Sequence, residues 1–238
     1  MKNRWYLLVG FIVLSALYHL EPIEIDIGVS GIFITISTFL FAILAGFFIS
    51  RQSSRYSELR TIISEFDGNM SALYRSFGFF GEAQKEAGRI IAAYYRAILE
   101  NHRWDWHFTR KSTTITDLNR LFATLETGGK GVLQATVVHM SASLDALQIA
   151  RKKMVGLHIE RIPLLEKVLI SFLAFLLVFS LLLAPSAGLL GSILKGVFGI
   201  VVVLVVVLLR ELDDLKLFEG TLGENSARDV VDIIEGTR

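Results

Sequence analysis

Four blocks of apolar residues stand out along the chain, separated by short turns or by segments rich in charged residues. They cover residues 5–20, 27–50, 168–184 and 188–209. A helix needs roughly 17–25 apolar residues to cross about 30 Å of hydrocarbon. The second and fourth blocks meet this length, the third just reaches it and the first is short. The pattern predicts four transmembrane helices, arranged as two hairpins on either side of a long polar segment.

The charges that flank these blocks predict how the chain crosses the membrane. Lys2 and Arg4 precede the first block, but no small-x-small cleavage site follows it, so a retained span is favoured over a signal peptide. Basic residues also follow the second block, precede the third and follow the fourth: Arg51, Arg55, Arg60, Arg151, Lys152, Lys153, Arg161 and Arg210. By the positive-inside rule, both termini and the long middle segment are cytoplasmic.

The middle segment, residues 51–162, has apolar residues at helical spacing. The two clearest runs are Leu59, Ile62, Ile63, Phe66, Met70, Leu73 and Tyr74, and then Ile90, Ile91, Tyr94, Tyr95, Ile98 and Leu99. The sequence contains no convincing strand pattern and no repeat. We expect an all-α protein with a first transmembrane hairpin (1–50), a cytoplasmic helical domain (51–162), a second transmembrane hairpin (163–209) and a cytoplasmic C-terminal tail (210–238).

Composition narrows the range of functions. The chain is 53% hydrophobic and has a formal net charge of +1, which is typical of a membrane protein and gives no support to a nucleic-acid partner. The absence of cysteine excludes disulfides, iron–sulfur clusters and a thiol nucleophile. No phosphate-binding loop, serine-hydrolase elbow or zinc-protease motif occurs. The sequence therefore predicts no catalytic residue and no cofactor.

Two clusters contain side chains that bind metals in other proteins, but neither has suitable spacing. His102 and His107 are five positions apart, with Asp105 as the one carboxylate between them, which is poor spacing for one face of a helix. A structural or interfacial role is favoured for this cluster. Asp213 and Asp214 follow the fourth block, where a solvated acidic pair is the usual arrangement. We therefore predict no metal site.

The second block contains two rows of residues at every fourth position. One row is small: Thr38, Ala42, Gly46 and Ser50. Small residues let helices approach closely in lipid. The adjacent row is Thr35, Phe39 and Ile43. Several copies around an axis would stack this row into apolar rings of the kind that gate ions by dewetting; alternatively, the row faces lipid or neighbouring helices.

Three basic residues in or beside the spans are further candidates. Arg51 and Arg55 lie one helical turn apart at the cytosolic end of the second block. They anchor the helix or, in a ring, concentrate anions below a pore. Lys195 lies inside the fourth block, about 10 Å from its outer end at 1.5 Å per residue. An ionisable group at that depth is a functional candidate, although lysine also snorkels to the headgroups.

Three segments of the chain resemble those of bestrophins. The run FFISRQSSRYSELR, residues 47–60, is similar to the end of the second span of that family. The segment Glu160-Arg161-Ile162-Pro163 resembles the family's Glu-Arg-Ile segment before the third span, and residues 211–220 resemble its acidic motif after the fourth. The order of spans also matches. The chain resembles most the divergent bacterial bestrophin-like proteins.

This resemblance implies a homopentameric ion channel with one axial pore lined by the second span. The family's apolar neck residues lie eight, twelve and sixteen positions before its arginine, which places them at Ile43, Phe39 and Thr35 here. The expected partners are further copies of the chain, monatomic ions and the lipid bilayer, and the expected location is a bacterial inner membrane. Calcium activation is not carried over, because the dense acidic run of animal members is absent. The sign of the permeant ion stays open.

An alternative function uses the same architecture without conduction. A non-conducting scaffold or sensor would keep its axis packed shut and act through cytoplasmic helices near Trp104 and Trp106. A membrane enzyme is less well supported, because no general base or metal constellation lies in or near the spans.

Overall fold

The computed structural model describes residues 5–20, 27–110, 112–126, 131–184, 188–215 and 223–237. Within these residues every regular element is a helix, which confirms the predicted all-α class. In chain order they are α1 (Trp5–Leu20), α2 (Ile27–Phe77), a 3-10 turn (Gly78–Phe80), α3 (Glu82–Asn101), α4 (Trp106–Thr109), α5 (Thr114–Ala123), α6 (Gly131–Ile159), α7 (Leu164–Leu183), α8 (Gly188–Asp213) and α9 (Gly223–Glu235).

Three helices among the described residues are long and apolar enough to cross a membrane. They are α2, α7 and α8. In α2 the apolar part ends near Ser50, and the helix continues with polar sequence to Phe77. α1 has 16 residues, about 24 Å at 1.5 Å per residue, and it packs against α8. The chain is thus a helical membrane protein, in which α1 packs on one of the three helices that are long enough to span a membrane.

The chain divides into two compact units, and the division falls inside α2. The membrane unit consists of Met1–Ser54 and Arg161–Asp214, and the polar unit of Arg55–Glu160 and Leu215–Arg238. The core of the membrane unit is built from α2, α7 and α8: Phe41, Ala45, Phe48, Ile170, Leu173, Ala174, Leu177, Val202 and Leu209.

α1 is joined to the rest of the membrane unit by Tyr18. This side chain is 3% exposed, and its hydroxyl donates a hydrogen bond to the carbonyl oxygen of Val178 at 3.0 Å. Gly199 on α8 lies against the same ring: a Cβ atom there would come within 3.4 Å of the Tyr18 hydroxyl. A glycine therefore lets α1 and α8 pack closely at this point.

The polar unit has a second apolar core, made by α2, α3, α5, α6 and α9. Its fully buried side chains include Leu59, Met70, Leu73, Phe77, Ile91, Tyr95, Leu118, Met140 and Leu147. Residues 223–235 within the predicted C-terminal tail form α9, which packs on α3. Its buried residues Ala227, Val230 and Val231 have the spacing of one helical face, so α9 completes this core.

Candidate functional site

One face of α2 packs inside the membrane unit. Ser37, Phe41, Ala45 and Phe48 on this face are each at most 7% exposed. Three of these residues belong to the core shared with α7 and α8. The packed face determines which of the remaining residues of α2 are exposed in the part of the subunit that the structure describes.

The predicted row Thr35, Phe39 and Ile43 lies on the opposite face. At about 100° per residue, Ser37, Phe41 and Phe48 are about 160–180° around the helix from Phe39. Phe39 is 64% exposed and Ile43 52% exposed.

Thr35 is exposed, and its hydroxyl donates to the carbonyl oxygen of Gly31 at 2.8 Å. Its oxygen lone pairs therefore remain as acceptors.

The small-residue row is also uncovered. Ala42, Gly46 and Ser50 are exposed, and Thr38 is half-buried. A Cβ atom added at Gly46 would meet nothing within 4 Å. The close helix contact that such a row favours is therefore not made at Gly46 within the described part of the subunit.

Arg51 lies at the polar end of the α2 span, beside the start of α7. Its guanidinium is 3.6 Å from a carboxylate oxygen of Glu166, and the two side chains are 38% and 33% exposed. Glu166 is in the first turn of α7, where a negative charge interacts favourably with the helix dipole. Arg51 is thus a half-exposed cation with an acidic neighbour.

Arg55, the second residue predicted for an inner vestibule, contacts the end of α6. It is 6% exposed. Its Nε donates to the carbonyl oxygen of Leu157 at 2.7 Å and its second amino group to that of His158 at 3.3 Å. α6 ends at Ile159, so these carbonyls lack partners within the helix, and a cation there is favoured by the dipole. Arg55 caps α6 in the polar unit.

Lys195 on α8 extends to the end of α7. Its ammonium group donates to the carbonyl oxygen of Ala184, the residue after the last position of α7. The side chain is thus directed along the helix toward the hairpin turn, as a snorkelling lysine would be.

Asp213 is a buried ion-pair partner, and the expectation of a solvated acidic pair is wrong for it. It is 2% exposed. One carboxylate oxygen accepts from the backbone N–H of Ile162 at 2.7 Å, and the other is 2.6 Å from the ammonium of Lys167. Asp214 is 3.1 Å from the guanidinium of Arg161. These contacts tie the end of α8 to the start of α7.

The histidine cluster does not converge on one point. His107 Nε2 lies 2.9 Å from the carbonyl oxygen of Tyr94 and its ring stacks on Tyr94 at 4.0 Å; burial lowers the pKa of this imidazole. His102 Nδ1 lies 3.0 Å from a carboxylate oxygen of Glu224, and Arg103 makes two hydrogen bonds to Asp105. Among the described residues, no group of three His, Cys, Asp or Glu side chains could hold a metal ion.

A buried carboxyl group that sequence reasoning missed joins three helices of the polar unit. Asp67, on α2 beyond the apolar span, is 7% exposed. It accepts hydrogen bonds from the hydroxyls of Tyr95 on α3, at 2.6 Å, and of Ser226 on α9. Burial raises the pKa of Asp67 to about 6, against the lowering effect of these hydrogen bonds. The polar residue in an otherwise apolar helix face was the one sequence signal for it.

The sequence profile of the bestrophin-like domain matches residues 5–221. No curated protein matches the chain.

Similar solved structures include two single-substitution variants of a bacterial bestrophin homolog from Klebsiella pneumoniae. The first is 17% identical with a TM-score of 0.69 and coverage of 99% of each chain. The second is 16% identical with a TM-score of 0.69, covering 99% of this chain and 100% of the other. A structure described as a membrane protein is 17% identical with a TM-score of 0.68, covering 97% and 98%. The fold is shared, and with the profile match the chain belongs to the bestrophin-like family.

Proposed function

We propose that this chain is the subunit of a homopentameric ion channel whose pore is surrounded by α2. The observation that carries the proposal is the position of Thr35, Phe39 and Ile43 on the exposed face of α2, opposite its packed face. Membership of the bestrophin-like family, an ion-channel family, supports the same function. An enzymatic activity has no comparable support.

A closed ring of identical copies would give this face a common environment around one axis. The exposed small residues of α2, of which Gly46 has open space around it, leave room for a close neighbour. In such a ring, Phe39 and Ile43 form an apolar constriction that gates ions by dewetting. The Thr35 oxygens form a ring of acceptors one turn further out.

Arg51 is the residue we assign to the inner vestibule. Its side chain is 38% exposed, so a ring of these cations would attract anions to the inner mouth. Glu166, 3.6 Å away, reduces that effect. Arg55 contributes less than the sequence predicts, since its guanidinium is directed at backbone carbonyls. The basic flanks favour an inner-membrane protein with both termini in the cytoplasm.

Currents through purified protein in planar bilayers test the assignment. Phe39→Ala should raise conductance, because the smaller alanine side chains widen the constriction and make it less apolar, so that it dewets less readily. The matched control is Phe175→Ala on α7, where the ring is 62% exposed and is assigned to lipid; its conductance should equal that of the wild type. Arg51→Glu should shift reversal potentials under chloride and sodium gradients toward cation selectivity.

The oligomer mass is measured on the same samples. Well-folded pentamers that carry no current in any variant would contradict the channel and favour the scaffold function. Equal currents in the wild type, Phe39→Ala and Arg51→Glu would show that α2 does not line the pore.

A further inference from the structure

A cavity of about 440 Å³ lies in the membrane unit, where the end of the α2 span meets the start of α7 and the end of α8. It is many times larger than the roughly 30 Å³ that one water molecule occupies in the liquid. A single monatomic ion would leave most of it filled with water. Its size therefore indicates a polyatomic occupant.

One side of the cavity is apolar. Phe48, Ile170, Val206 and Leu209 line it, and Phe48, Ile170 and Leu209 are also part of the apolar core between the helices. An occupant that is charged throughout would leave this wall in contact with water, which is unfavourable at about 25 cal/mol per Å² of apolar surface. The wall favours an occupant with a hydrocarbon part.

The other side of the cavity is charged and has a positive excess. Three cations and two carboxylates line it. Lys167 pairs with Asp213 and Arg161 with Asp214. The guanidinium of Arg210, which is exposed, makes no ion pair to any carboxylate among the described residues. One positive charge is thus left for an anionic group, and guanidinium binds phosphate oxygens in bidentate geometry.

The apolar and charged sides of the cavity lie next to each other at the end of α8, as expected at the boundary between the hydrocarbon of a bilayer and its headgroups. The apolar block of α8 ends at Leu209 and is followed at once by Arg210. Basic residues at the cytoplasmic end of a span meet the phosphate groups of anionic lipids there. An anionic phospholipid presents both parts that the cavity requires, a phosphodiester next to hydrocarbon.

We infer that this cavity binds an anionic phospholipid, with its phosphodiester on Arg210 and the start of its acyl chains on Phe48, Val206 and Leu209. The inference is independent of conduction, because it requires only that the hairpin of α7 and α8 lies in a bilayer. A lipid held here contacts α2, α7 and α8 together, next to the contacts by which Asp213 joins the end of α8 to the start of α7.

Lipid retention measured by native mass spectrometry tests this inference. Full-length oligomers are delipidated, then titrated with phosphatidylglycerol, with phosphatidylcholine as the uncharged comparison. We expect the wild type to hold phosphatidylglycerol more tightly than phosphatidylcholine. Arg210→Gln should weaken the binding of phosphatidylglycerol about tenfold, as expected for one lost charge-assisted contact. The control is Arg60→Gln, an exposed arginine of the polar unit, which should retain phosphatidylglycerol like the wild type.

A second variant tests the cavity without changing its charge. Val206→Phe fills the apolar side and should also lower phosphatidylglycerol retention, with the oligomer mass unchanged. Equal retention in the wild type, Arg210→Gln and Val206→Phe would overturn the inference. Competition by glycerol 1-phosphate at the same concentration as the lipid would identify a free-phosphate site instead. Loss of the oligomer in Val206→Phe would identify a second copy of the chain as the occupant.

Discussion

Asp67→Asn should remove a pH dependence of stability that this buried carboxyl group introduces. The pKa of Asp67 is about 6 in the folded protein against 3.8 for the unperturbed group, with burial as the main cause. Between these two values the folded state binds the proton and the unfolded state releases it. The free energy of unfolding therefore falls as the pH rises from about 4 to about 6.

The size of the effect follows from the pKa difference. At about 1.36 kcal/mol per pKa unit, the shift corresponds to about 3 kcal/mol lost between pH 4 and pH 7. For a chain of this size, 1 kcal/mol moves the melting temperature by about 2–4 °C, so the expected difference is about 6–12 °C. Asp67→Asn lacks the titrating group and should lose less stability than the wild type over the same range.

Thermal unfolding of the full-length protein in detergent measures this difference. Tryptophan fluorescence reports mainly on the polar unit, which contains Trp104 and Trp106, two of the three tryptophans of the chain. The difference in melting temperature between the wild type and Asp67→Asn at each pH cancels the contributions of the other titrating groups. Glu65→Gln is the matched control, because Glu65 is an exposed carboxylate on the same helix; its curve should parallel that of the wild type. Parallel curves for the wild type and Asp67→Asn between pH 4 and 7 would refute the reasoning.

Three further substitutions test contacts of the two units. Asp213→Asn should destabilise the membrane unit by about 2 kcal/mol, because it leaves Lys167 without its buried partner; an unchanged melting temperature in detergent would contradict this. Arg55→Gln should increase hydrogen exchange in the last turn of α6, since two carbonyls lose charge-assisted donors worth about 1.5–3 kcal/mol each; unchanged exchange there would remove its role as a cap. Glu166→Gln should increase anion preference in bilayer recordings, because it removes the carboxylate beside Arg51; an unchanged reversal potential would place that pair outside the conduction path.

Local features of the sequence were sufficient to predict the class of fold. Long charge-free blocks and helical spacing predicted an all-helical membrane protein, and short motifs pointed to bestrophins; the structure and the family match confirm both. These predictions succeed because hydropathy and periodicity depend on neighbouring residues. The same periodicity placed Thr35, Phe39 and Ile43 in one row, but did not show which way the row faces.

Tertiary structure alone decided the partners of the polar residues. Arg55 meets carbonyls more than 100 positions away, and Asp213 is buried against the start of α7. Asp67 binds Ser226, 159 positions along the chain, on a helix of the predicted C-terminal tail. An apolar helix that is hydrophobic all round has no sequence signal for its packed face, so the orientation of α2 follows from its contacts with α7 and α8. Hydropathy records the solvent that a segment prefers, whereas a hydrogen bond or ion pair requires the position of its partner, which folding supplies.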